Sequence, residues 1–293
     1  MTHRGAVLTM VGVTLMWSIA GVVTRHLEAA RAFEVTFWRS GFNALALLLL
    51  LAWLRGPAPL WRTLRGGGRM LWLSGLCWSV MFTAFMVALT LTTVANVLIT
   101  MALAPLFTAL LSRVLLRHAL PLRTWGAIVV AGIGIAWMYG QQVSAGDARH
   151  LLGTAVALGV PIAAAINWTL LHHHRDDADV DMLPAVLIGA TLSALLTLPL
   201  SVPFAASAHD IGLLALLGVV QLAIPCLLAV TAARVLSAPE AALLALLEVV
   251  FGVLWAWWGA NEAPGVAVLG GGLLVIGALA GNELLSLRRP RPA

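Results

Sequence analysis

Ten apolar runs, joined by short polar connections, constrain this chain more than any other feature. A helical run of about 20 apolar residues is long enough to cross the hydrocarbon core of a bilayer. The ten predicted spans are residues 5–24, 33–54, 70–91, 94–116, 122–139, 151–171, 182–202, 211–236, 239–260 and 265–287. Because the connections are short, neighbouring spans should form antiparallel hairpins.

The composition excludes the other broad classes of protein. Only 10% of the 293 residues are charged and the mean hydropathy is +0.98, which leaves too little polar surface for a soluble domain. Barrel strands would need alternating apolar and polar residues, and the chain has no such runs. We therefore predict an all-α, multi-pass membrane protein whose main partner is the lipid bilayer. Its net charge of +5 reflects membrane topology and does not indicate a nucleic-acid partner.

The arginines predict the orientation of the spans. All 17 basic residues are arginine, and 13 of them lie on the side that holds both termini and the even-numbered loops. Three lie on the other side (Arg25, Arg31 and Arg149) and Arg39 lies inside the second span. Positively charged loops stay cytoplasmic, so we predict cytoplasmic termini and a bacterial inner-membrane location.

The two halves of the chain share a layout, about 144 positions apart. An apolar segment after Thr92 and one after Leu236 each end at polar residues and lead, through a proline, into a glycine-containing span. Each half holds five spans, an odd number, so the halves must be inverted relative to each other. The predicted divisions are a first repeat (1–140), a linker (141–150), a second repeat (151–287) and a basic tail (288–293).

Glycines concentrate in the fifth and tenth spans. Gly277 and Gly281 form a GxxxG pair, a pattern that lets helices approach closely. We interpret these two spans as scaffold or as a dimer surface, and the protein as a monomer or a weak homodimer.

Three charged residues inside the spans are candidates for charge or proton handling. Glu248 lies in mid-span, where an acid is costly unless it faces protein or water. Glu240 lies two turns earlier on the same face and could also be a simple helix-start acid. Arg39 could extend toward the interface or bind an anionic or carboxylate guest.

Aromatic and polar side chains away from the span ends are candidates for a binding site. Trp17, Trp78 and Trp168, with Phe82 and Met101, could form a soft pocket for a flat guest, although helix packing explains each of them as well. The candidates for a hydrogen-bonding floor are Asn96, Thr100, Asn167 and Gln221.

Prolines interrupt three of the predicted spans. Pro105, Pro161 and Pro225 each free a backbone carbonyl, and we interpret Pro161 and Pro225 as flex points.

Metal and nucleotide chemistry are not expected. The run 172–174 is three histidines, followed by several aspartates, but contiguous histidines on a helix cannot easily converge on one ion. No phosphate-binding GxxxxGK[ST] loop is present, so this chain alone should not be an ATP-driven pump. We predict no metal and no cofactor.

Several segments resemble the drug/metabolite transporter superfamily, EamA type. They are residues 93–111, residues 238–248, Leu15–Ser18 in the first span and Arg39 in the second. The chain departs from that pattern at Arg117–His118, where Gly-Glu is common, whereas Asn261–Glu262 keeps the acid. The resemblance implies two inverted five-helix repeats around a central cavity, lined by spans one, three, four, six, eight and nine, with alternating access. Within the superfamily the chain resembles the YddG-like exporters of aromatic amino acids.

The sequence therefore predicts a secondary transporter, not an enzyme, that exports small metabolites. The favoured cargo is an aromatic or other hydrophobic amino acid, with the three tryptophans on its ring and Asn96, Gln221 and Glu248 at its polar head. The alternatives are threonine, a cysteine derivative or a cationic drug such as a viologen, and proton coupling stays open. An intramembrane enzyme is disfavoured because no span carries a deep histidine to activate a nucleophile.

Overall fold

The part of the chain that the computed structural model describes consists of helices and short connections, without β-strands. That part comprises residues 1–115, 121–144, 148–173, 183–233, 235, 244–245 and 247–287. The helices are α1 (His3–Thr24), α2 (Ala32–Arg55), α3 (Pro57–Gly66), α4 (Gly68–Leu91), α5 (Val94–Met101), α6 (Ala104–Leu115), α7 (Leu122–Ser144), α8 (Ala148–Ala157), α9 (Gly159–His173), α10 (Leu183–Ser201), α11 (Ala208–Leu216), α12 (Ile224–Ala233), α13 (Leu247–Ala260) and α14 (Val266–Leu287). A π-helical segment, Leu217–Ala223, joins α11 to α12.

Six helical segments of the described chain are long and apolar enough to cross a membrane. They are His3–Thr24, Phe33–Arg55, Gly68–Leu91, Ala148–Asn167, Leu183–Ser201 and Ala208–Ala229. Four shorter apolar segments are Val94–Thr108, Leu122–Gly134, Leu247–Ala260 and Val266–Asn282. Each of these segments overlaps one predicted span. The multi-pass membrane class is thus supported, while the count of ten crossings stays a prediction.

Three predicted spans consist of more than one helical piece, and a new piece begins near each proline. Pro105 and Pro225 are the second residues of α6 and α12, and Pro161 is the third residue of α9. A proline has no backbone N–H to donate, so it fits the first turn of a helix, where that donor has no partner in the preceding turn. The prolines therefore begin new helical pieces, and the π-helical segment precedes the third of them.

One helix was absent from the sequence prediction. The helix α3 follows the predicted second span directly, with Leu60 buried and Trp61 exposed. The Arg65 guanidinium lies 4.5 Å from the centre of the Trp61 ring. An amphipathic helix with arginine and tryptophan on its exposed face suits a membrane interface.

The helices pack into two groups that each draw on both halves of the chain. In the first bundle, α1 contacts α12 and α13, and α2 contacts α11 and the π-helical segment. In the second bundle, α4 contacts α8, α9 and α10, α5 contacts α8, and α6 contacts α9. Contacts of α2 with α10 and of α5 with α13 join the two bundles.

The helices α7 and α14 pack along each other. A Cβ atom added at Gly134 would lie 2.6 Å from the Gly271 carbonyl oxygen, so glycine permits this close approach. Gly277 and Gly281 have open space in front of them, so the GxxxG pair is not what holds these two helices together.

Candidate functional site

A buried arginine lies near the boundary between the two bundles. Arg39, on α2, is only 1% exposed. Its Nε and Nη2 atoms donate to the Gln221 side-chain oxygen at 3.2 and 2.8 Å. The Gln221 amide in turn donates to the Trp17 carbonyl oxygen at 3.1 Å. These bonds fix the orientation of the guanidinium and leave its Nη1 atom without a hydrogen-bond partner among the residues that the structure describes.

A second polar side chain on α2 also has buried atoms without a hydrogen-bond partner among the described residues. Asn43 lies one helical turn after Arg39, on the same face, and is fully buried. Within the described part of the chain, neither its side-chain oxygen nor its nitrogen has a hydrogen-bond partner. Leaving such groups buried and unpaired costs on the order of 1–3 kcal/mol each. Three unpaired atoms on one helix face therefore mark this face as a candidate binding surface.

The Arg39 guanidinium faces the second bundle. Its central carbon lies 5.4 Å from the centre of the Phe85 ring on α4. A cation over an aromatic face is an attractive contact, and it places the charge between the bundles.

An acid lies near this arginine. Glu248 is the second residue of α13 and is partly exposed. It lies within electrostatic range of Arg39, Cys226 lies near both, and the Trp17 side chain is a hydrogen-bond partner of Cys226. The structure thus brings together four residues singled out in the sequence (Trp17, Arg39, Gln221 and Glu248) and adds Cys226. Glu240 lies outside the described residues.

The aromatic candidates divide between two places. Trp17 and Trp78 pack against one hydrophobic cluster, which contains Phe82, Leu222 and Cys226. The Trp78 and Phe82 rings lie 5.5 Å apart, centre to centre. Met101 instead packs against the larger cluster that contains Phe85. Trp168 belongs to α9, but its side chain lies outside the described part of the structure.

The remaining polar candidates are buried and form mostly local hydrogen bonds. The Asn96 amide donates to Thr92 Oγ1 at 3.1 Å, and the Thr100 hydroxyl donates to the Asn96 carbonyl at 2.6 Å. Asn167 accepts a hydrogen bond from Ser74 at 2.6 Å. All of these residues lie in the second bundle, and no described hydrogen bond links Asn96 or Asn167 to Gln221. These residues stay predicted cargo contacts.

Sequence analysis missed a chain of hydroxyls between the bundles. The Ser193 hydroxyl lies 3.0 Å from that of Ser40 and 2.9 Å from that of Thr83. It connects α2 to α10 and α4, where the bundles touch. The available signal was a set of small hydroxyl residues in mid-span, but such residues also commonly bond within their own helix.

Two buried carboxylates that sequence analysis did not single out hold the loops at one end of the molecule. Glu34 accepts from the backbone N–H groups of Ala205 and Ala206. Asp210 accepts from the N–H groups of the segment 28–30 at 2.8–3.0 Å. Glu28 and His209 lie beside Asp210, yet these backbone bonds already occupy the Asp210 oxygens, so we interpret the group as structural.

The comparisons with known proteins agree with this fold. Residues 4–140 match the EamA-like transporter family. The EamA match suggests a membrane transporter of small solutes, and it confirms the resemblance over the first half of the chain. A solved structure titled "Crystal structure of protein" is 21% identical and has a TM-score of 0.61, covering 98% of this chain and 99% of its own. At that identity the likeness shows the fold alone. No curated protein matches the chain.

Proposed function

We propose that the protein is a secondary transporter that exports small metabolites, with aromatic or other hydrophobic amino acids as its cargo. The EamA match supports the transporter class. In this proposal the cargo binds between the two bundles and is exposed to each side of the plasma membrane in turn.

The observation that carries the choice of cargo is the proximity of two opposite charges, Arg39 and Glu248, at the bundle boundary. Arg39 keeps one nitrogen unpaired among the described residues, and Glu248 lies within electrostatic range of it. An α-amino acid carries a carboxylate and an ammonium group at one end. A guanidinium binds a carboxylate strongly, and a carboxylate suits an ammonium. Arg39 and Glu248 would therefore bind the two charges of the head group, with Asn43 as a further hydrogen-bond partner.

The neighbouring aromatic residues support a ring on the other end of the cargo. Trp17 hydrogen-bonds Cys226, which lies near Glu248, and Trp17 shares a hydrophobic cluster with Trp78 and Phe82. Flat rings pack favourably against such side chains, with about 0.5–1.5 kcal/mol per aromatic pair beyond the burial of area. Trp168, Asn96, Thr100, Met101 and Asn167 remain predicted cargo contacts.

The packing of the helices supports the proposed inverted repeat. The contact of α1 with α13 has a counterpart in that of α9 with α6, after exchange of the two halves. The contact of α4 with α10 likewise corresponds to that of the π-helical segment with α2. Pairs of this kind are expected when two repeats are related by a two-fold axis. The repeat boundaries, the cytoplasmic termini and the inner-membrane location are part of the same proposal.

Uptake of radiolabelled Phe, Trp and Thr into proteoliposomes tests the proposal. We expect flux of Phe and Trp that exceeds that of Thr, and Trp78→Ala should lower it about three- to tenfold, in line with the loss of one aromatic contact. The matched control is Trp258→Ala, because that side chain is 70% exposed and does not belong to the cluster. Flux of none of the three amino acids would overturn the amino-acid proposal and leave the transporter class in place.

Repeating the assay with a pH gradient tests proton coupling. Flux that depends on the gradient in the native protein, and not in Glu248→Gln, would assign the proton to Glu248. Flux that is independent of the pH gradient in the native protein and in Glu248→Gln would exclude proton coupling.

A cationic drug is the second candidate cargo. Glu248 near aromatic side chains would attract an organic cation, since cations bind over aromatic faces. The buried positive charge of Arg39 opposes such a guest, so we rank the amino acid first.

A further inference from the structure

At one end of the molecule, two charged side chains of the first bundle bind backbone groups of the second bundle, where α4 ends and α5 begins. Arg25 follows α1, and Glu262 follows α13; both helices belong to the first bundle. The Arg25 Nε atom lies 2.8 Å from a Glu262 carboxylate oxygen. We name these two residues, together with the backbone groups that they bind, the Arg25–Glu262 clamp.

The clamp binds the point where α4 ends and α5 begins. Arg25 donates from Nη1 to the Leu89 carbonyl at 2.6 Å and from Nη2 to the Thr92 carbonyl at 2.8 Å. The second Glu262 oxygen accepts from the Val94 N–H at 2.7 Å. All three backbone groups belong to the second bundle, whereas both charged side chains belong to the first.

The chemistry of this junction matches the charges that bind it. The last carbonyls of α4 and the first N–H groups of α5 have no partners within their own helices. A cation is favourable at the carbonyl end of a helix and an anion at the N–H end. Arg25 and Glu262 supply one of each, and their side chains are only 28% and 19% exposed. Hydrogen bonds that involve ionised groups are about twice as strong as neutral ones.

Two other charged contacts at this end, those of Asp210 and Arg149, stay within one bundle. Asp210 binds the segment between α1 and α2 from α11, all in the first bundle. Arg149 donates to the Thr90 carbonyl at 2.8 Å, from α8 to α4, both in the second bundle. These bonds move with their bundle when the bundles separate, whereas the clamp bonds must break.

We propose that the Arg25–Glu262 clamp is the latch that keeps this end of the transporter closed. Opening of this end requires the guanidinium to leave two carbonyls and the carboxylate to leave an N–H group. The arginine distribution predicts that this end is extracytoplasmic. The latch would therefore keep the binding site closed to the outside until the two bundles separate at this end. The inference rests on the proposed movement of the two bundles, but not on the identity of the cargo.

The test is a distance measurement across the closed end. Spin labels are attached to Ala148→Cys, at the start of α8, and Ala208→Cys, at the start of α11; both alanines are exposed. The native Cys77 and Cys226 are buried and stay in place. Pulsed electron paramagnetic resonance then gives the distribution of distances between the two labels in lipid, without any transport assay.

We expect one short distance in the native protein and a second, longer population in Glu262→Gln. Because one ion pair and its supporting bonds are lost, the open fraction should rise about tenfold, equivalent to about 1.4 kcal/mol. Arg149→Gln is the matched control, since it also removes an arginine–carbonyl bond at the end of α4, and its distribution should stay native.

Two outcomes would overturn the latch. One is a Glu262→Gln distribution identical to the native one; the other is equal opening in Arg149→Gln. If Glu262→Gln does not fold, Arg25→Lys makes the same test, because a lysine keeps the charge but cannot reach three acceptors in the fixed fork of a guanidinium. A native distribution in Arg25→Lys would likewise contradict the proposal. Because the readout is a distance, failure of the latch is distinguishable from failure of the proposed transport.

Discussion

At the scale of single residues, the buried polar side chains fall into two sets. Glu34 and Asp210 are fully buried and accept several backbone N–H groups each. Arg39 and Asn43 are as deeply buried, yet keep atoms that no described residue satisfies. A buried carboxylate with hydrogen-bond partners stabilises local structure. A buried polar group without partners lowers stability, and such a group is typical of a ligand-binding site.

The first set yields a stability prediction. Asp210→Asn should lower the free energy of unfolding by about 2–3 kcal/mol, because an amide nitrogen cannot accept from the N–H groups of residues 28–30. Thermal unfolding in detergent measures the loss. Glu28→Gln is the control, since this exposed side chain should change stability by less than about 0.5 kcal/mol. Equal melting temperatures for native protein and Asp210→Asn would contradict the structural role.

Residue types could be predicted from the sequence, but their partners could not. An arginine inside an apolar span is conspicuous, and Arg39 was singled out for that reason. Its partner Gln221 is 182 positions away. No local pattern encodes such a pair, because it depends on how the two bundles are assembled. Asn43, Ser193 and Cys226 were missed because small polar residues in spans usually satisfy themselves locally.

At the scale of helices, glycine positions decide which spans can approach each other. The sequence predicted close packing for the glycine-rich fifth and tenth spans, and α7 and α14 do pack along each other. It could not tell which glycines lie in the contact, since that depends on the rotation of each helix. The short helix α3 was missed because it is less apolar than a span and too brief to be recognised by length.

The helix contact yields a matched pair of substitutions. Gly134→Ala should destabilise the packing of α7 against α14, by about 1–3 kcal/mol, because the new Cβ would meet the Gly271 carbonyl at 2.6 Å. Gly132→Ala, two residues earlier, meets nothing within 4 Å and should be neutral or stabilising. The melting temperatures of both variants measure this difference in stability. An equal effect of the two substitutions would mean that α7 is rotated relative to this description.

At the scale of the whole molecule, the two bundles do not coincide with the two sequence halves. Each bundle combines helices from before and after the predicted linker, so the predicted sequence repeats do not coincide with the packed groups of helices. The apolar runs predicted the membrane class, and the arginines predicted the orientation. Which helices pack into one bundle depends on contacts between distant parts of the chain. The apolar pattern of a single span is local, so it could not predict those contacts.

Labelling of single cysteines tests the predicted orientation. His3→Cys lies at the start of α1, and Ala148→Cys at the start of α8, on opposite faces of the membrane if the repeat is inverted. A membrane-impermeant maleimide applied to intact cells should label position 148 and leave position 3 unlabelled until the cells are opened. The reverse pattern would place the termini outside, and labelling of both would contradict the predicted odd number of crossings between them.

The central claim is that Arg39 and Glu248 bind the two charges of an amino acid between the bundles. The most direct test compares the affinities of phenylalanine, phenethylamine and 3-phenylpropionate, by calorimetry, for native protein and Arg39→Gln. Arg62→Gln, on α3, is the control for loss of a positive charge elsewhere. In the native protein phenylalanine should bind at least about tenfold more tightly than either analogue, because each analogue leaves either Arg39 or Glu248 without a partner charge. In Arg39→Gln the advantage over phenethylamine should disappear. Native protein that binds phenethylamine as tightly as phenylalanine would contradict the account.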